Sequence, residues 1–309
     1  PTPEQIAAHI QRHAPRPPSA LQLWAPLLIV GGLFVAAAIS QSGPMIILTW
    51  LALIGLFVFV SVRARRIAQT EHRVSRVQEL AMLRRSVEAL RLAWRLVPET
   101  ATVASRQARL ISLMGHELLM LGQHEGAIVA YDAVLDRLPD GHPAGMQLRM
   151  QRVIAQLQAD QLTDADDALR RLRHEPGVQA PGPGRAMYRL AQLLQQIRTY
   201  HYREAVEESD GLLEDLRPLG VDAAHGHALL AVAMYHLAQR DNTEPTSSLE
   251  SNQRQAPSLS TDELHRGAEQ WWGRATLLIS PQRLIAKYPE IEAIAALPGN
   301  SATPPEANA

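Results

Sequence analysis

The sequence has no cysteine, a single lysine at Lys287, and only 5% aromatic residues. The absence of cysteine excludes disulfides, thiolate nucleophiles and Cys-ligated zinc. With lysine nearly absent, arginine carries almost all the positive charge. Lysine has no physical disadvantage on a surface, so this skew reads as the composition bias of a GC-rich, bacterial genome. Few aromatics beside abundant Ala, Leu, Arg and Gln favour helix over sheet. A net charge of -1 gives no global field of the kind a nucleic-acid binder uses. A chain of 309 residues has room for a membrane unit plus one or two soluble domains.

Charge is missing altogether from two long stretches, Leu21–Ser40 (LQLWAPLLIVGGLFVAAAIS) and Met45–Val62 (MIILTWLALIGLFVFVSV). A helix needs roughly 20 apolar residues to cross the hydrocarbon core, within a range of about 17–25. Both stretches are therefore expected to span a membrane. Gln41-Ser42-Gly43-Pro44 between them allows only a tight reversal, which makes 21–62 a hairpin. A cleaved signal peptide ending at Ala36-Ala37-Ala38 is the rival reading of the first span, but the stretch is long for a signal h-region. The lack of Met before Pro1 fits ordinary removal of the initiator.

Arg12 and Arg16 precede the hairpin, and Arg63, Arg65, Arg66, Arg73 and Arg76 follow it, while its turn is uncharged. The positive-inside rule then puts both ends in the cytoplasm. Arg63, Arg65 and Arg66 are candidate contacts for anionic lipid headgroups, worth about 1 kcal/mol each near the surface. For the later arginines a solvated face is the plainer reading. Trp24 stands where an interfacial aromatic belongs, and Gly31, Gly32, Ala36, Ala52 and Gly55 would let the two helices approach closely. Residues 1–20 form an arm. Its Thr2-Pro3-Glu4-Gln5 has the spacing of a capped helix start. Ile6 and Ile10 share one face, as in a short interfacial helix on the membrane surface or an arm that binds a partner.

Residues 63–296 read as an all-α cytoplasmic domain. Arg63–Arg95 is expected as one helix, with apolar residues at Ile67, Val74, Val77, Leu80, Val87, Leu90 and Trp94. Then comes the clearest internal pattern: Ile111-x2-Met114-Gly115-x2-Leu118, Gly122, and Ala127-x3-Tyr131-x2-Val134-x4-Pro139. Weaker copies are Ser86-x3-Leu90-x2-Ala93-x4-Pro98 upstream, and Met187-x2-Leu190-Ala191-x2-Leu194 with Ala205-x3-Ser209-x2-Leu212 downstream. Met146–Leu157 and Asp164–Leu172 make a further helix pair of degenerate register. A last pair, Leu230-Ala231-x2-Met234 and Ala268-x3-Trp272-x2-Ala275, is split by a polar, Pro- and Ser-containing insertion at 241–260. The insertion is expected to be flexible, with a capping box at Ser260-Thr261-Asp262-Glu263 restarting the helix. A helix over about 281–296 is expected to cap the stack, and 297–309 to be a disordered tail.

This pattern closely resembles the tetratricopeptide repeat over roughly Arg84–Pro281, with one specific copy and three or four degenerate ones. The resemblance implies an α-solenoid in which small residues such as Gly115 and Ala127 sit where paired helices touch. It also implies a protein-binding groove lined by the first helix of each pair. That assigns Arg109, Ser112, His116 and Met120, then Arg185, Tyr188, Gln192 and Gln196, then Tyr235 and His236, to the groove. Family members that clamp the carboxylate tail of chaperones use lysine and asparagine where Ser112 and His116 stand, so a chaperone-tail receptor is not expected.

No set of catalytic groups assembles in the sequence, and the chain is not expected to be an enzyme. There is no phosphate loop, since Gly182-Pro183-Gly184 lies in a connector that follows no strand. His116-Glu117 begins like a zinc-protease motif, but Met120 occupies the second ligand position. His225 and His227 diverge on a helix, and Asp164, Asp166 and Asp167 suit a helix start better than a calcium loop. No metal or cofactor is expected. Tyr200-His201-Tyr202 suits packing or partner contact. Trp272 fits the repeat core, which leaves Trp271 for a neighbouring helix or a partner. The expected function is a membrane-anchored scaffold that binds protein partners at the cytoplasmic face of the bacterial inner membrane, as assembly factor or accessory subunit of a membrane complex. The alternative is a small membrane subunit of a transporter or electron-transfer complex whose hairpin packs against core subunits. Neither span carries the charged or His residue that ion or proton conduction uses.

Overall fold

The computed structural model describes residues 1–15, 31–32, 35, 43–139, 142–243, 259–288 and 291–296. The chain is all-α, and the described residues include no strand. It divides into two compact units, Pro1–Pro139 and Asp140–Ala309.

The first unit contains α1 (Pro3–Arg12), α2 (Gly43–Met82), α3 (Ser86–Thr100), α4 (Ala104–Met120) and α5 (His124–Leu135). Helix α2 is one uninterrupted element of 40 residues, about 60 Å at 1.5 Å per residue. Its second half packs on α3 and α4 through Val74, Val77 and Leu80. The second unit contains α6 (Pro143–Gln158), α7 (Leu162–Leu172), α8 (Pro176–Gln179), α9 (Pro183–Arg198), α10 (Tyr202–Glu207) and α11 (Leu212–Leu216). A 3₁₀ segment (Arg217–Asp222), α12 (Ala223–Thr243), α13 (Thr261–Leu278), α14 (Pro281–Lys287) and α15 (Glu292–Ala295) complete it.

Four helix pairs share one turn. Helices α2, α4, α6 and α9 each end on a left-handed residue: Arg84 (φ 58), Gly122 (φ 73), Asp160 (φ 57) and Tyr200 (φ 61). These residues are 38, 38 and 40 apart. At each turn the next amide bonds back five residues, as in Arg85 N–H to the Leu80 carbonyl (2.9 Å) and His201 N–H to the Gln196 carbonyl (2.8 Å). This is the Schellman closure of a helix. Five residues past the left-handed position stands a buried alanine every time: Ala89, Ala127, Ala165 and Ala205. Twelve past it stands a buried aliphatic: Leu96, Val134, Leu172 and Leu212. The small residue lets the paired helices approach, and the aliphatic fills the space beyond.

This register corrects three expectations. Arg63–Arg95 is not one helix but α2 and α3, broken at Leu83–Arg85 by an arginine in the position that glycine normally marks. Ala89, not Ser86, is the equivalent of Ala127. Leu193, not Ala191, is the equivalent of Gly115. The second helix around Ala205–Leu212 is also not continuous, because Gly211 (φ 76) turns the chain between α10 and α11. The last pair behaves as expected. Leu230, Ala231, Ala268, Trp272 and Ala275 are buried between α12 and α13, and Ser260 and Glu263 form the capping box. The expected insertion starts later, since α12 continues to Thr243, and 244–258 lie outside the described residues, as does the tail from Leu297. The helix expected over 281–296 is two short ones, α14 and α15, and Leu284, Ile291 and Ile294 in this segment are fully buried.

Among the described residues no helix is long and apolar enough to cross a membrane. The first expected span, with Trp24 and Ala36, falls almost wholly outside them. In the second, the side chains of Met45, Ile46, Leu48, Thr49 and Ala52 fall outside, so the longest described apolar run is Leu53–Val62. Side chains on every side of α2 are solvent-facing there: Phe57 is 73% exposed, Val58 53%, Phe59 53% and Val60 54%. A Cβ built at Gly31, Gly32 or Gly55 meets no described atom within 4 Å. The expected close helix approach at these glycines is therefore not made among the described residues.

Candidate functional site

The expected groove face differs between the units. In the first, Arg109, Ser112, His116 and Met120 do form one stripe along α4. Arg109 is committed to α2, where it meets Glu71 (3.1 Å) and Gln78 (2.7 Å). Arg106 joins the same Glu71 at 2.8 Å. His116 and Met120 are exposed and Ser112 is half-buried, so the open part of this face is its far end.

In the second unit the expected residues turn inward. Arg185 pairs with Asp215 at 2.9 Å. Gln192 and Gln196 donate to Glu208 at 2.7 and 3.1 Å, and Arg189 reaches both carboxylates at 3.4 Å. Tyr188 is half-buried, and desolvation raises its phenol above the ordinary value. The shallow depression beside them has a cavity volume of only about 10 Å³. That is room for about one water and far below the roughly 300 Å³ at which small-molecule sites begin. The expected alignment is two residues out of register, about 200° around the helix, but the corrected register does not open this face either. The turn-aligned partners of Ser112 and His116 are Leu190 and Leu194, both buried core.

Tyr235 is buried as well, accepts from Gln239 Nε2 (2.6 Å) and sits near His265. His236 stacks on Tyr202 at 4.9 Å, and the exposed Tyr200 meets Tyr202 edge-on. Trp272 is core as expected, while Trp271 lies against His227 with Arg274 over its ring at 4.9 Å. His225 contacts Tyr288, so it and His227 diverge. Glu117 is buried while its neighbour His116 faces out. No group of three metal-ligating side chains occurs among the described residues. Of the candidate headgroup contacts Arg65 is exposed, and the side chains of Arg63 and Arg66 lie outside the described residues.

His227 is 6% exposed, and neither ring nitrogen has a hydrogen-bond partner. Burial first, and then the Arg274 charge, lower its pKa from the ordinary 6.5. The unfolded chain then binds the proton more readily than the folded one. The associated stability is complete above about pH 6.5 and is lost as pH falls below it. Thermal melts should show the second unit weakening between pH 7 and pH 5.5, and His227→Leu should flatten that slope. An unchanged slope in the variant would assign the acid sensitivity elsewhere.

Sequence reasoning missed a second site in the first unit. Ile6 and Ile10 are fully buried, with α1 packed on α5 instead of presenting its apolar face to lipid. A Cβ at Gly126 would lie 2.8 Å from Ile6 Cδ1, so this glycine is the notch that admits Ile6. His9 stacks on Trp94 at 4.0 Å, and its Nε2–H donates to the Trp94 carbonyl (3.1 Å). Gln107, fully buried, donates to the carbonyls of His13 (2.6 Å) and Val97 (3.3 Å) and accepts from Arg137 (3.1 Å). The available signal was the cap at Thr2 with isoleucines four apart, but nothing local indicates where such a helix docks. Compared with protein-family models, curated proteins and solved structures, the chain finds no match in any of the three.

Proposed function

We propose that the chain is a membrane-anchored scaffold of repeated helix pairs, binding partner proteins at the cytoplasmic face of the bacterial inner membrane as assembly factor or accessory subunit of a membrane complex. Helix α2 carries this reading. Its first half offers apolar side chains to all sides with no charge over 45–62, and a helix apolar all round belongs in a core or a membrane. Its second half is the first helix of the repeats, without a break.

A hairpin with both ends on one side is supported by the local geometry. The α1 end at His13 is tied through Gln107 to Val97 at the end of α3, and Glu99 two residues on pairs with Arg73 of α2 at 2.7 Å. The chain therefore leaves α1 and arrives on α2 at the same end of the first unit. A tetratricopeptide-like stack is supported by the recurring turn and alanine, with a period about one helical turn longer than the 34 residues of that family. The partner-binding surface in this reading is the exposed end of the α4 stripe, His116 and Met120, with Met82 and Leu83 at the neighbouring turn.

The absence of cysteine makes the topology directly testable. Single cysteines at Ser42 and Ser105 should label from opposite sides of intact cells, Ser42 being the one open to an impermeant thiol reagent. Labelling of both from the same side would reject the hairpin. Purification in mild detergent should yield a reproducible partner, and Met82→Asp with Met120→Asp should release it.

A further inference from the structure

A ten-residue helix is marginal alone in water, so α1 is helical because it is seated. Its side-chain contacts fall at Ile6, His9 and Ile10, that is at i, i+3 and i+4 of one face, and the His13 carbonyl takes a bond from Gln107 at the helix end. Grooves read amphipathic helices in this way. The floor is equally specific. At the position of Gly126 the other three turn-aligned repeats carry Glu88, Asp164 and Glu204. Only the second repeat lacks the side chain that would fill the notch. Helix α1 supplies two fully buried aliphatics, whereas α4 beside it supplies Leu110, Ile111, Met114 and Leu118. Such a peripheral element opens locally while the rest stays folded.

We propose that this seat is a helix-binding site of the first unit, filled in cis by α1. An amphipathic helix of a partner protein, with aliphatic side chains at i and i+4 and a flat ring at i+3, takes the seat when α1 lifts away. The site is separate from the α4 stripe and does not depend on the membrane reading. Tethering holds α1 at an effective concentration on the order of millimolar. A displacing helix must therefore bind well below that range.

The test uses the detergent-solubilised full chain and a fluorescent peptide of residues 1–15, read by anisotropy. The chain carrying Ile6→Asp and Ile10→Asp, with α1 undocked, should bind the peptide at least ten-fold tighter than the unaltered chain. Adding Gly126→Glu, a side chain the other repeats accommodate, should abolish that binding, and the peptide carrying both aspartates should bind neither chain. Equal binding by docked and undocked chains, no binding by a folded undocked chain, or indifference to Gly126→Glu would overturn the proposal. Should the undocked chain not fold, amide exchange on the unaltered chain decides. Amides of α1 should exchange at least 100-fold faster than those of α4, and equal rates would mean that α1 leaves only on global unfolding.

Discussion

Tyr131→Ala is expected to destabilise the first unit by about 3–5 kcal/mol, the usual cost of emptying a fully buried aromatic site. Tyr131 has no exposed surface, and its ring lies where a Cβ on Gly115 would come within 2.8 Å of Cε1. The repeats explain the pairing. The turn-aligned equivalents of Gly115 and Tyr131 are Val77 with Ala93, Val153 with Leu169, and Leu193 with Ser209. Where the first helix carries a side chain, the second carries one smaller than tyrosine. Gly115→Leu alone should therefore be destabilising by overpacking, by roughly 1–3 kcal/mol or more because the opposing ring is rigid. The double variant Gly115→Leu with Tyr131→Ser copies the fourth repeat and should recover part of both losses. Denaturant titration of the four chains gives the coupling directly, and simple additivity would refute the shared space. Tyr131→Phe supplies the contrast. The buried hydroxyl has no hydrogen-bond partner, and burial, followed by the Glu117 charge, pushes its ionisation above the ordinary range. Removing it should be neutral or stabilising.

On the proposed reading, arginine at both Leu53 and Phe57, in a chain from which 21–40 has been deleted, is expected to remove the chain from the membrane fraction. The two positions lie one helical turn apart, near the middle of 45–62. Each arginine at the centre of a span costs about 2.5–3.5 kcal/mol, so the pair adds roughly 5–7 kcal/mol on top of the apolar contribution lost. No histidine or acidic residue in either span is available to offset it. The same pair at Ala64 and Ala68, beyond the apolar run, should leave membrane association intact. Resistance to alkaline extraction is the measurement. Retention of the Leu53→Arg, Phe57→Arg chain lacking 21–40 would mean that 45–62 does not cross the bilayer.

Local chemistry made part of this architecture legible. Both capping boxes, Thr2 with Gln5 and Ser260 with Glu263, form as their spacing says, because a cap involves four consecutive residues. Gly122 marks its turn because glycine pays no steric penalty at positive φ. The same turn at Arg84, Asp160 and Tyr200 is hidden in sequence, since none of the three carries the glycine signal. Without these three anchors the register of α9 slipped by two residues and inverted its face. Contacts that join distant segments were invisible for a related reason. The meeting of Arg109 with Glu71 and of Ile6 with Gly126 depends on how helices stack, and neither partner advertises the other.

The unbroken passage of α2 from its apolar half into the repeats also fixes a phase. On the proposed reading, residues 63–70 act as a shaft between bilayer and repeats, so their number sets the compass bearing of the first unit about the membrane normal. One added alanine there would swing that unit by about 100° while lifting it only about 1.5 Å. Seven added alanines, two turns less about 20°, would lift it roughly 10 Å and nearly restore its bearing. A partner embedded beside the hairpin would register the first change as a misalignment and the second as a gap. Comparing the two insertions would separate a scaffold that must face its partner from one that only has to stay near it.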